Sequence, residues 1–363
     1  MKQGTFGNLQ SLAMELDRRS RNRNDFIVEP KAAEIFHEEG DNRPHLHFTH
    51  QDSNCHTLLS KTVMQDLALQ QMMQRLNIPA AYHRKVLSEH PALLRENVNY
   101  LLQRHTTPMM FRTRDNQTDA VLSNAYKRID NYPVASMVLP VLQEADVTVE
   151  SCDVTDHKMY IKVVSPRLQG DVKVNDPVQL GMVISNSEVG LGFLNVQTMI
   201  YRLVCTNGMI SGRDLGEGIR MAHRGSRQPL GVAYQEDTIR AIGNSITMQV
   251  RDTVRQLLSP ENFAKQLEAL RETTGRKVTG DPTQAVKELG KVVGFTEDEG
   301  SGIMRHLIEG GDLSQYGLLN AVTRYSQDDN INYDRATELE RLGGKILELN
   351  PRQWKVISEA EAA

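Results

Sequence analysis

Cysteine is scarce in this chain of 363 residues: Cys55, Cys152 and Cys205 are all it has. An odd number, widely spaced and without a C-x-x-C pair, speaks against a disulfide framework and a thiolate zinc site, and fits a reducing compartment. Long apolar runs are missing too. No stretch approaches the roughly 18 apolar residues needed to cross a bilayer, and Met1-Lys2-Gln3-Gly4-Thr5-Phe6-Gly7 lacks the apolar centre of a secretory signal. A cytoplasmic protein with no membrane contact is expected. Repeats of fixed period and low-complexity segments are absent, as are the P-loop, the dinucleotide fingerprint and the H-E-x-x-H pattern. Gly190-x-Gly192 leads into a strand, where a phosphate-binding helix terminus cannot form. Binding is therefore expected ahead of catalysis, with no catalytic residue assigned and no cofactor.

Neither sign of charge dominates. A net charge of −4 does not suit a protein that coats duplex DNA by bulk electrostatics. The distribution is uneven: from Gln235 to Ala363 there are 16 Lys and Arg against 21 Asp and Glu. Between Tyr201 and Gln228 the balance reverses, with Arg202, Arg213, Arg220, Arg224 and Arg227 against only Asp214 and Glu217.

The stretch from Asn186 to Gly212 is the most specific in geometry. It runs through Glu188, Gly190 and Gly192 into the alternating run Phe193 to Val204 and closes on Cys205-Thr206-Asn207-Gly208, which reads as a long hairpin. The Asn207-Gly208 pair supplies the positive-φ positions of a tight primed turn, and Gly190 with Gly192 does similar work at the other end. Before it, helical spacing appears over Asn8 to Arg19 and from Thr57 through Val63, Leu67, Leu69, Met72, Met73 and Leu76. Pro79 and Pro91 each open a helix. Short strands are expected at Phe26 to Val28 and Leu46 to Thr49, and a hairpin around Asn116-Gln117 joins Met109–Arg114 to Asp119–Ser123. A helix from Val134 to Glu144 precedes strands at Val147–Val154, Lys158–Ser165 and Val178–Ser185. After Gly231, Ile239, Ile242, Ile246, Val250, Val254 and Leu257 mark one long amphipathic helix, and five shorter helices follow at Pro260 to Glu272, Pro282 to Val293, Glu297 to Glu309, Tyr316 to Gln327 and Asp334 to Leu347. The fold class is α+β: a central antiparallel β-sheet from about Met109 to Met209, a long helix packed on it, an N-terminal helical layer and a helical C-terminal region. The parts are an arm with short strands (1–56), a core (57–274) and the C-terminal helices (282–363), with Gly275 to Asp281 as linker.

Three groups of residues are candidates for function. His45, His47, His50 and His56 with Cys55 invite a metal, but their spacing matches no recognised ligand pattern and hydrogen-bonded loop histidines are the competing reading. Cys205 or Ser187, with His223 as base and Glu188 or Asp214 to orient it, would make a nucleophile; a free cysteine packing as a small apolar residue, and Asn186 and Glu188 tying down a turn, compete with that. The third group is Tyr201, Arg202, Arg213, Arg220, His223, Arg224 and Arg227. Guanidinium groups neutralise phosphates while aromatic faces, with Tyr160 nearby, stack on unpaired bases. Tyr201 and Arg202 alternate on a strand and face opposite ways, so the weight falls on Arg213 to Arg227. The basic run Arg18 to Asn24 reads either as a phosphate-touching arm or as an exposed helix end.

An ordered series of motifs carries a resemblance as well: Leu76-Asn77-Ile78-Pro79, Asn97-Val98-Asn99, Phe111-Arg112, Val121 to Tyr126, Ile129-Asp130-Asn131, Asn186 to Gly190, Arg202 to Met209 and Met221-Ala222-His223. Over Leu58 to Leu258 the chain resembles the phage/plasmid-like protein family, a domain of unknown function (DUF932). The resemblance implies an accessory protein of a mobile element and supplies no catalytic residues. The order of strands leading into one long helix is also that of Rad52-like annealing proteins, which form rings and hold DNA in a basic groove. Single-stranded DNA binding by a homo-oligomer is the leading expectation. The alternative is an interaction factor that engages or inhibits a host protein through its acidic helical end.

Overall fold

The computed structural model describes residues 1–36, 43–51, 56–212, 217–222 and 236–361. Among them the chain folds as an α+β protein built on two six-stranded sheets. The first consists of β1 (Arg23–Val28), β2 (Ala33–Phe36), β3 (His45–Gln51), β4 (Thr57–Met64), β5 (Met109–Arg114) and β6 (Gln117–Ser123), in the order β1-β5-β6-β4-β3-β2. The strands read from Met109 onward are therefore divided: β5 and β6 complete a sheet begun by the first sixty residues. β4 also corrects the helix expected from Thr57. Thr57–Met64 is a strand that takes in Val63, and the helix that carries Leu67, Leu69, Met72 and Met73 begins only at Asp66.

Helix α1 (Leu9–Arg21) starts where the Asn8 side chain accepts a hydrogen bond from the Ser11 amide at 2.8 Å. It runs straight into β1, so Arg18 to Asn24 is no loose arm. Arg18 and Arg19 pair with Glu15, Arg21 with Asp17, and Arg23 with Asp130 and Glu188. Asp115 and Asn116 at φ 51° and 61° make the tight turn from β5 to β6. Helices α2 (Asp66–Arg75), α3 (Ala80–Glu89) and α4 (Pro91–Leu102) cover the first sheet, burying Leu69, Met72, Met73, Val98 and Leu102 against Leu46, Phe48, Phe111 and Val121.

The second sheet takes β7 (Thr148–Val154), β8 (Met159–Lys173), β9 (Asp176–Asn186), β10 (Leu194–Arg202) and β11 (Asn207–Ile210) in the order β11-β10-β9-β8-β7, with β12 (Glu217–Met221) also on β10. Here the hairpin reading needs one shift. Leu203 to Thr206 make the turn, Thr206 takes the left-handed φ of 51°, and Asn207 and Gly208 lie inside β11 opposite Arg202 and Tyr201. At the other end Gly190 does adopt a positive φ of 79°, whereas Gly192 does not.

One face of this sheet, with Met159, Ile161, Val163, Ile184 and Val196, is covered by α1, α5 (Asn131–Glu144) and the long α6 (Glu236–Leu257). The helices α7 (Pro260–Gly275), α8 (Pro282–Val293), α9 (Glu297–Gly310), α10 (Gln315–Tyr325), α11 (Tyr333–Leu347) and α12 (Pro351–Ser358) share a core with Val178, Leu180, Ile200 and Met209 of the sheet. The connection Gly275 to Asp281 is tied down: Val278 donates to Leu313, and Thr279 and Gly280 to Ser358. α11 approaches β11 through Gly344, where a Cβ would sit 2.0 Å from the Ile210 carbonyl. No helix among the described residues is long and apolar enough to cross a membrane.

Candidate functional site

The loop between β9 and β10 sits at the junction of the two sheets. Glu188 accepts from the Asn131 amide at 2.6 Å and from Arg23 at 3.0 Å, and Arg23 reaches on to Asp130 at 2.7 Å. Arg112, only 1% exposed, forks onto Asp25 with two bonds of 2.8 Å and donates to the Glu188 carbonyl at 2.7 Å. Burial alone would lower the Arg112 pKa, but its hydrogen bonds to Asp25 and the charges of Asp130, Asp25 and Glu188 hold it above the ordinary value. The Asn186 amide donates to Ile129 and Asn131, both at 2.8 Å, and Tyr126 donates to the Ser187 carbonyl at 3.1 Å. Residues of four of the motifs picked out in the sequence, Arg112, Tyr126, Ile129 to Asn131 and Asn186 to Glu188, thus meet in one fastening. With Arg128 3.1 Å from Asp25, three arginines face three carboxylates, and the cleft beside them, lined by Arg23, Arg114, Asp119 and His157 among others, measures about 20 Å³. That is room for a water molecule, not a substrate.

Glu188 and Asn186 therefore tie the turn, as does Ser187, whose buried hydroxyl donates to the His157 carbonyl at 2.9 Å and accepts from the Leu191 amide at 3.1 Å. Cys205 accepts from Arg202 at 3.3 Å. His45 and His47 lie against the ring of Phe36, and His50 packs on Phe26 and pairs with Ser60 at 3.0 Å. Among the described residues no three His, Cys, Asp or Glu are placed to hold a metal ion. Cys55, Asp214 and His223 lie outside them. At the mouth of the first sheet is a groove of about 480 Å³ whose lining includes Asn22, Asn24, Thr62, Thr113 and Phe26, with Lys61 and Asp115 as its charged side chains.

The basic set separates. Tyr201 is 8% exposed and packs on Val183, Met199 and Ile210. Arg202 forks onto Asp176 at 2.6 and 2.9 Å, and Tyr316 donates to the same carboxylate at 2.9 Å. Asn207 donates to Thr323 at 2.5 Å. Tyr201 is thus buried in the sheet, and Arg202, its side chain 20% exposed, is held on Asp176. Arg220 is exposed, its guanidinium 4.2 Å from the centre of the Phe193 ring. It pairs with Asn195, seven residues before Arg202 on β10, so about 23 Å separates the two arginines along the strand. Arg213, Arg224 and Arg227, like His223, fall outside the described residues.

Two cations that the sequence reading passed over lie near Arg220. Lys158, Tyr160 and Lys162 alternate onto the face of the sheet crossed by α11. Tyr160 donates to Asp334 at 2.7 Å, and Lys162 is wholly buried against Glu340 at 2.6 Å with the Tyr333 ring 4.7 Å away. Arg341 donates to Gln197 at 3.2 Å and Ser185 at 3.1 Å. Ser185, Asn195 and Arg220 stand side by side on β9, β10 and β12. The stem of Lys158 lies over Gly192, where a Cβ would be 3.4 Å from its Cε.

The family model described as Domain of unknown function (DUF932) matches residues 120–342, more than half of the chain. The chain belongs to this family. The DUF932 match opens within β6 and closes within α11, so it takes in the second sheet, the long helix and most of the C-terminal helices. It passes well beyond Leu258, where the resemblance had been drawn to a close, and leaves the motifs from Leu76 to Arg112 ahead of it. Both Lys158 and Arg341 lie inside the DUF932 region. Comparisons with curated proteins and with solved structures find no match.

Proposed function

We propose that this protein binds single-stranded nucleic acid along the β12 side of the second sheet, without covalent chemistry, as a cytoplasmic accessory protein of a phage or plasmid. The observation that supports this reading is the exposed Arg220 guanidinium stacked 4.2 Å from the Phe193 ring. A planar cation on an aromatic ring presents a flat, positive surface that accepts a base by stacking and a phosphate by charge, whatever the sequence. In the chain this strand leads directly into His223, Arg224 and Arg227.

Fluorescence anisotropy of a labelled single-stranded oligonucleotide, titrated at several salt concentrations, tests the reading. Binding that weakens with salt is expected, and Arg220→Ala should reduce the logarithmic salt slope by about 0.7. Phe193→Ala should cost about 1–3 kcal/mol of affinity. Failure to bind even at low salt removes the proposal.

A second reading, engagement of a host protein by the acidic helical end, draws on Ile308 and Val356, which stand 68% and 58% exposed on α9 and α12. Ile308→Lys and Val356→Lys should abolish capture of such a partner while leaving oligonucleotide binding unchanged.

A further inference from the structure

Two other cations borne by the second sheet and by α11 are matched by acids. Lys162 has Glu340, and Arg335 has Glu299 and Glu338. Lys158 and Arg341 break the pattern. Both are half-buried, and among the described residues neither has a carboxylate within ion-pair distance. Arg341 gives Nε and Nη2 to the neutral oxygens of Gln197 and Ser185, and among the described residues its Nη1 makes no hydrogen bond. The two cations also act on each other: burial first, and then the Arg341 charge, lower the Lys158 pKa.

The acids that oppose this, Asp334 and Glu338, are engaged elsewhere. Asp334 accepts from Tyr160 at 2.7 Å and Thr155 at 3.1 Å and lies 3.3 Å from His157, while Glu338 pairs with Arg335 at 2.9 Å. Lys158 shares the face on which Tyr160 stands opposite Ser185, and Arg341 donates to that same Ser185; two like charges on one face and partly out of water favour an anion beside them. The ammonium supplies a point charge and the guanidinium directed N–H groups, the combination that holds a phosphoryl group.

We infer that Lys158 and Arg341 form a binding site for a phosphate oxyanion, carried either by free phosphate or by a nucleic-acid backbone. In the second case the site would hold a backbone phosphate close to the Arg220–Phe193 stack, and to that extent it rests on the reading above. Lys158→Met and Arg341→Gln each remove one charge and leave no buried acid unpaired, so both variants should keep the fold by circular dichroism.

The full chain is titrated with inorganic phosphate by calorimetry and melted in phosphate and in chloride at equal ionic strength. Phosphate should bind the wild type and raise its melting temperature above that in chloride. Either substitution should weaken phosphate binding by about tenfold or more, while Lys158→Arg should retain it. Equal melting in the two salts, or phosphate binding that survives both substitutions, overturns the site. The same variants are then titrated with labelled oligonucleotide. Phosphate binding without oligonucleotide binding keeps the site and removes the nucleic-acid reading. Oligonucleotide binding that neither substitution changes, in a protein that ignores phosphate, does the reverse.

Discussion

Arg112 is the residue on which the junction of the sheets depends. It donates two hydrogen bonds to Asp25 and one to the Glu188 carbonyl, lies 3.1 Å from Asp130, and is almost wholly out of water. Arg112→Met should destabilise the protein by about 3–5 kcal/mol in urea unfolding, because Asp25 and Asp130 would keep their charges without the partner that compensates them. Arg202→Ala strands Asp176 in the same way, and its expected effect is lost stability with unchanged nucleic-acid affinity. Asp119 behaves differently. Burial raises its pKa from 3.8 to about 6 despite Arg114 at 3.0 Å. The folded protein therefore holds this proton more tightly than the unfolded chain does. That contribution is complete below about pH 4 and is lost as pH rises through about 6, a change of roughly 3 kcal/mol. Asp119→Asn should flatten that part of the stability curve measured between pH 4 and pH 7. Alternation showed that Tyr201 and Arg202 face opposite ways, but not that Asp176 waits beside Arg202. That pairing depends on the register of β9 with β10, which no local pattern encodes.

Among the elements, helices with clear caps were the most legible. Asn8, Ser259, Asp281 and Thr296 each accept a hydrogen bond from the first turn, and their helices begin where the sequence places them. Strands read less well where a helix begins just beyond them, as at Asp66 after β4. The Asn207-Gly208 pair misplaced a turn by a few residues because Thr206 takes the left-handed position itself. The contact between α11 and β11 left no local signal beyond Gly343-Gly344. Gly344→Ala would press a methyl group into the Ile210 carbonyl. A loss of about 1–3 kcal/mol or more is expected from thermal unfolding. Lys158 and Arg341, 183 positions apart, become neighbours only because α11 crosses the sheet.

For the whole molecule, composition and period sufficed for an α+β class with a long helix on an antiparallel sheet. The division into two sheets was not readable, since β5 and β6 look like members of whichever sheet lies nearest in sequence. The C-terminal helices cover Val178, Leu180, Ile200 and Met209, so a chain cut after Asp281 would expose that apolar end of the sheet. Such a truncation should aggregate or lose its cooperative melting transition in calorimetry, whereas surface substitutions on α9 and α12 should not.

The place of β1 has a bearing on biosynthesis. Asp25 and its partner Arg112 are separated by 87 positions, and Leu12 and Leu16 of α1 pack on strands and helices that come later still. On the ribosome the first segment must emerge and wait, its pairing groups open, while the middle of the protein is made. Contacts of such long range form slowly. Residues 9–28 are thus synthesised before their partners and among the last secured, and nascent chains halted before residue 109 should be held by chaperones or clipped by proteases within that segment.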